Sequence, residues 1–200
     1  MTKSSIAFKV GTRPSELAHV QTTQAVADFE RVIPSIRFDV TSVSSPGDRD
    51  RSTDLRTSPQ DFFTRDLDEA LLERSIDCAI HSAKDLPDSM PEGIDWSWLT
   101  ASEDPRDAVI LRLGEDITDL PEAPRIGVSS ERREAWAIQA FPKAELQPVR
   151  GNIGQRLEKL DNGEYDMIVM ASAALHRLGY SHRITQYIPL NDLQVPDGQG

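Results

Sequence analysis

Residues 146–179 read LQPVRGNIGQRLEKLDNGEYDMIVMASAALHRLG, and the fold class follows from that stretch. A short strand-like run, 146–149, ends at a turn that Gly151 permits. A helix then spans 152–160, with Ile153, Leu157 and Leu160 on one face, and Asp161-Asn162-Gly163 stops it. The apolar run 167–171 reads as a buried strand, and 173–178 as a short helix ended by Gly179. Strand–helix alternation of this kind makes βαβ units, whose strands lie mainly parallel.

The alternation extends outward in both directions. Strands are expected at 108–111 and 125–128, with a helix over 130–141. Near the start, 6–10 reads as a strand ended by Gly11. A helix follows from about Ser15, with Ala18, Ala25, Phe29 and Val32 at helical spacing, and Pro34 closes it. Residues 37–43 alternate as a second strand, 62–72 are helical, and 76–81 form a third strand. The polar stretch 44–59, with Gly47 and two prolines, reads as a mobile surface loop able to serve as a lid. The pattern restarts after 95–106. The expectation is an α/β protein of two similar domains, 1–100 and 101–195, with 196–200 a return segment toward the first.

Composition narrows the class of function. In 200 residues, 38% are hydrophobic and 28% charged, enough for a packed core. Lys and Arg number 22 against 33 Asp and Glu, a net charge of −11, which argues against general nucleic-acid binding and against docking to anionic membrane. No apolar run approaches the roughly 20 residues of a membrane span. The first residues lack the apolar stretch of a signal peptide. A single cysteine, Cys78, excludes an internal disulfide and a multi-cysteine zinc site. A cytoplasmic protein with no metal is expected.

Ligands of open α/β sheets sit beyond the carboxyl ends of strands, and five such ends here carry polar clusters. The first, Gly11-Thr12-Arg13-Pro14-Ser15, opens a helix whose free N–H groups favour an anion; an ordinary turn with Ser15 as N-cap accounts for it equally well. The second, His81-Ser82-Ala83-Lys84-Asp85, holds Asp85, the best single candidate for a catalytic carboxylate, although a solvated loop with a surface ion pair would look the same. In the third, Ser129 or Ser130 can cap a helix whose first turn carries Arg132 and Arg133. Cations there oppose the helix dipole at roughly 0.3–1 kcal/mol each unless an anion binds. The fourth is Arg150-Gly151-Asn152 with Arg156 one turn on. A capped helix with surface arginines explains the fourth equally well; the fifth, 171–179, combines small residues at a strand exit with Arg177, and packing alone explains it equally well. Together Arg13, Lys84, Arg132, Arg133, Arg150, Arg156 and Arg177 suggest a cationic cleft for a small polyanion, since planar arginine forks suit carboxylates.

These segments together resemble the porphobilinogen deaminase (hydroxymethylbilane synthase) family. The matching runs are GTRPSELA (11–18), FFTRDLDEALL (62–72), HSAKDLP (81–87), EDPRDA (103–108), GVSSERR (127–133), RGNIGQRLEKLDNGEYD (150–166), HRLG (176–179) and GQG (198–200), in the family's order and over nearly the whole chain. The resemblance implies a fold like the type II periplasmic binding proteins, with a hinge between two domains. It implies stepwise condensation of porphobilinogen into the linear tetrapyrrole hydroxymethylbilane with release of ammonia, in haem biosynthesis. Asp85 matches the family's catalytic aspartate, which contacts pyrrole N–H groups and stabilises the azafulvene-type cation left by ammonia loss. Arg13, Ser15, Lys84, Ser129, Arg132, Arg133, Arg150, Arg156 and Arg177 match residues that hold the acetate and propionate groups of cofactor and growing chain. Ser82, Ser130, Gly151 and Asn152 fall in the same motifs. The implied cofactor is dipyrromethane, and the implied partner is the small molecule porphobilinogen, with no nucleic acid and no membrane, bound to a monomer.

The sequence also departs from the family. Family members carry a third domain beyond GQG, whose cysteine anchors the dipyrromethane; the reading expects two domains here, with that domain absent and Cys78 a core residue, not its equivalent. Gln60 stands where the family has a lysine. Val128 and Glu131 are further changes beside the arginines, and Glu131 partly offsets their charge. Three readings stay open: a shortened enzyme, a pyrrole- or polycarboxylate-binding module without turnover, and a piece of a longer chain.

Overall fold

The computed structural model describes residues 6–50, 52–99 and 101–200; the reading of the first five residues lies outside them. Two compact units emerge, one from 1–50 and 59–101, the other from 51–58 and 102–200.

The first unit is built on β1 (Ile6–Thr12), which pairs in parallel with β2 (Ile36–Ser42) on one side and β3 (Cys78–Ala79) on the other. Helix α1 (Glu16–Val32) covers one face. There Val10, Thr12, Thr22 and Ala25 are buried, and the Thr22 hydroxyl donates to Thr12 Oγ1 at 2.8 Å. Gly11 faces the opposite way. A Cβ at Gly11 would lie 2.5 Å from Ile76 and 2.6 Å from Leu67, so glycine lets α3 (Arg65–Leu72) approach the strand.

Four local expectations change. The strand expected over 76–81 pairs only at Cys78–Ala79, and the chain then turns through a 3-10 segment, Ala83–Asp85. The helix expected from Phe62 starts at Arg65, because Phe62 and Phe63 are used to pack a turn. Val32, placed on the core side of α1, is 74% exposed. The stretch 44–59, expected as a mobile loop, is in large part built in. Pro46–Arg49 forms one helical turn, α2, with Ser45 and Asp48 bonding reciprocally across it. Gly47 donates its N–H to the Phe62 carbonyl at 2.8 Å, so close beneath the Phe63 ring that no side chain fits. Residues 52–58 belong to the second unit, where Arg56 donates to Glu134 at 2.6 Å.

The second unit is a five-stranded sheet in the order β6-β5-β7-β4-β8. Strand β5 (Arg125–Val128) pairs in parallel with β6 (Glu145–Pro148) and β7 (Met167–Ala171). Strand β4 (Asp107–Leu111) runs antiparallel to both β7 and β8 (Gln186–Tyr187). Strands β4 and β7 are buried throughout and alternate their side chains to two cores. Ala108, Ile110, Ile168 and Met170 pack with Leu157 and Leu160 of α5 (Ile153–Asp161) and Leu175 of α6 (Ser172–Arg177). Val109, Leu111, Met167 and Val169 pack with Ala137 of α4 (Glu131–Ala140). Coverage of both faces explains why these strands read as unbroken apolar runs. Among the described residues no helix is long and apolar enough to cross a membrane.

Candidate functional site

In the first unit the end of β1 delivers Arg13, and Ser15 caps α1 by accepting the Ala18 N–H at 3.3 Å. Arg13 has a carboxylate of its own: Nε and Nη2 donate to Asp48 at 3.2 and 2.5 Å. Its guanidinium lies 4.1 Å over the Phe63 ring. Burial works to raise the Asp48 pKa, but the bond and charge from Arg13, with bonds from Ser45, outweigh it and hold the carboxyl below its ordinary range. Asp85 stands at the end of its 3-10 turn, with Lys84 half-buried beside it. The Asp85 side chain is 31% exposed, and Oδ2 lies 4.0 Å from Arg13 Nη1. Ser82 Oγ accepts from Gln21 Nε2 at 2.7 Å. Burial pushes the His81 pKa down; Asp85 pulls it back up and Arg13 pushes it down again, leaving a neutral imidazole next to the pair. Arg13, His81 and Asp85 thus form one electrostatic group, with Ser82 and Lys84 on the same turn.

In the second unit the ends of β5, β6 and β7 meet the start of β4. Ser130 occupies the N-cap of α4 with extended backbone, yet its Oγ is buried and caps nothing. Arg132 and Arg133 follow in the first turn, and the chain itself supplies an anion for them. Asp107, 1% exposed, accepts from Arg132 Nη1, from Arg133 Nη2 at 2.8 Å and from Gln199 Nε2 at 3.0 Å. Burial acts to raise the Asp107 pKa; the two arginines overcome it and keep the group ionised. Ser129 Oγ accepts from Arg133 Nη1 at 3.4 Å and from Arg156 Nη1 at 3.2 Å. Arg156 also donates from Nε to the Gly151 carbonyl at 2.8 Å and pairs with no carboxylate among the described residues. Burial, then Arg133, then Arg150, push its pKa down to about 10.

The turn between β6 and α5 follows from its sequence. Gly151 has φ +116°, a conformation that disfavours any side chain. Asn152 caps α5 in a reciprocal box with Gln155, at 2.9 and 3.1 Å. Arg177, at the end of α6, has its pKa lowered by burial and pulled back by Glu103. That end of the helix also holds His176 between Glu103 (3.2 Å) and Tyr187 (3.0 Å). The second unit therefore gathers Ser129, Arg132, Arg133 and Arg156, with Arg150 close enough to lower the proton affinity of Arg156. Ser15 and Asn152 serve as caps, and Arg177 stands with the Glu103–His176 pair.

Several polar atoms at these strand ends are buried and unbonded: Ser130 Oγ, Arg133 Nε and Ser172 Oγ. Unbonded donors at these strand ends, with half-buried Arg156 pairing with no carboxylate among the described residues, fit the acidic groups of a ligand. Cys78 fits no covalent attachment: it lies half-buried in β3, and burial, then Asp77, raise its thiol pKa. Among the described residues no cluster of His, Cys, Asp or Glu could hold a metal. Asp107, Ser172 and Gln199 lie in motifs the sequence displays but were not assigned to the site, and Asp48 was not singled out; a carboxylate heading an otherwise apolar strand, as Asp107 does, was the one available signal.

The architecture is that of the type II periplasmic binding proteins, an α/β class. The methionine-binding protein MetQ superimposes with a TM-score of 0.56 at 11% identity, over 92% of this chain and 78% of that one. The family model "Porphobilinogen deaminase, dipyromethane cofactor binding domain" matches residues 8–200. The porphobilinogen deaminase of Syntrophobacter fumaroxidans is 38% identical over 96% of this chain, and that of Gloeobacter violaceus 40% identical over 96%. The chain belongs to the porphobilinogen deaminase family, and it spans 63% and 60% of the length of those two relatives.

Proposed function

We propose that this chain provides the pyrrole-binding and condensing site of a cytoplasmic porphobilinogen deaminase. One observation carries the reading: the second unit gathers Arg132, Arg133 and Arg156 around a single carboxylate partner among the described residues, Asp107, together with unbonded donors on Ser130, Arg133 and Ser172. Porphobilinogen bears an acetate and a propionate, whose oxygens match those donors. Dipyrromethane, when bound, supplies the acceptor to which substrate pyrroles are joined. Ser129, Ser130, Arg132, Arg133, Arg150 and Arg156 would hold its acid groups.

The chemistry falls to Asp85. Its carboxylate is accessible and is not consumed by Arg13, whose fork is taken by Asp48. It can accept a hydrogen bond from a pyrrole N–H and stabilise the positive charge that develops as the aminomethyl group leaves as ammonia. Arg13 lies beside it at 4.0 Å without forming a tight pair, and neutral His81 adds no second positive charge. Lys84, Ser82 and Arg177 complete the proposed contacts to ligand side groups.

The test is incubation with porphobilinogen, followed by acid oxidation to uroporphyrin. Product from the chain, and none from Asp85→Ala, supports catalysis; equal signals from both overturn it. Calorimetric binding without ammonia release would instead identify a binding module. That outcome would draw on Gln60, which replaces the family's lysine and here donates to Asp88 at 2.7 Å.

A further inference from the structure

We propose that Asp107 is a positioning residue, an internal carboxylate that sets Arg132 and Arg133 for the ligand. The proposal rests on the polycarboxylate reading above. Asp107 is the first residue of β4, in register with Ala171 at the end of β7, so its side chain lies where the parallel strands terminate. The side chain is fully buried, and each oxygen receives a different arginine. Gln199 closes the set: it accepts from Arg132 at 2.9 Å and donates to Asp107 and to the Pro105 carbonyl, at 3.0 and 2.7 Å.

An acid buried in an anion site is paradoxical if charge alone matters, because it weakens attraction for the ligand. Geometry resolves the paradox. Arg133 Nη2 is fixed on Asp107 and Nη1 leans on Ser129, while Nε, the other half of the same side-on fork, is buried with no partner. The guanidinium is thereby held in place before a ligand arrives, and the ordering entropy of a long side chain is met by the fold. Asp107 also provides counter-charge in a cluster where Arg133 and Arg150 already depress the proton affinity of Arg156.

The sign of the effect separates positioning from charge. Removing one negative charge should tighten polyanion binding if Asp107 acts only through the field. If it positions the arginines, Asp107→Asn weakens binding of porphobilinogen and of citrate about tenfold or more, despite the more positive site. The experiment pairs calorimetry with NMR of the arginine Nε–H groups in the free protein. The expected result is protected Arg132 and Arg133 signals that collapse in Asp107→Asn, with weaker binding. Unchanged signals, or tighter binding, overturn the proposal. If the parent chain binds neither probe, the polycarboxylate reading fails, and the arginine signals alone still decide whether Asp107 positions them. Should Asp107→Asn not fold, Asp107→Ala in formate serves: formate restoring the protected signals in the variant supports positioning, and no restoration rejects it.

Discussion

In the first unit Arg13 is matched to Asp48, one fork to one carboxylate; in the second, Arg132 and Arg133 share Asp107, and Arg156 pairs with no carboxylate among the described residues. The first arrangement is close to neutral and leaves Asp85 accessible. The second stores positive charge at a cost in desolvation and mutual repulsion, visible in the lowered pKa of Arg156. A stabilising role and a binding role therefore make opposite demands on the same residue type.

Two substitutions break that comparison in opposite directions. Arg13→Ala removes one member of a largely buried pair and strands Asp48, whose side chain is 11% exposed. A loss of about 3 kcal/mol or more in urea unfolding is expected, in line with breaking buried pairs. Arg156→Ala should leave unfolding unchanged or slightly improved, because the side chain it removes is desolvated without a counter-charge. Its cost appears in porphobilinogen binding, about 1.5–3 kcal/mol by calorimetry, the range for a charge-assisted contact. If Arg156→Ala destabilises as much as Arg13→Ala, the two units do not differ as argued.

Much of this was readable before any coordinates, and for a physical reason. Strands β4, β5 and β7 are buried on both faces, so their apolar runs carry a local signal, and the α5 capping box is written in Asn152 and Gln155. The first unit was less legible where tertiary packing overrode local pattern. Gly47 looked like a loop residue, yet the Phe62 carbonyl and the Phe63 ring seat it in the core. At the site, the positions of the arginines could be read from helix starts and strand ends, but their partners could not. Cations in the first turn of α4 signalled an anion; that part of it is Asp107, more than twenty residues upstream, depends on β4 running antiparallel beside β7.

The smallest expected effects are in pH, and they too should differ in sign between the units. Asp48 has a folded pKa below its ordinary value, so its contribution is present above the ordinary carboxylate range and is lost as pH falls through the lowered folded value. Acid melts of the parent and of Asp48→Asn should converge at the lowest pH. Arg156 behaves in reverse. Its folded pKa of about 10 lies below that of an unfolded arginine, so the folded chain sheds the proton first, and stability from this group rises as pH climbs past that value. Ligand binding runs the other way, because a carboxylate needs the charged form. Porphobilinogen affinity should therefore fall more steeply above pH about 10 in the parent chain than in Arg156→Ala. A fall of equal size in both would assign the titration to another group and remove Arg156 from the contact.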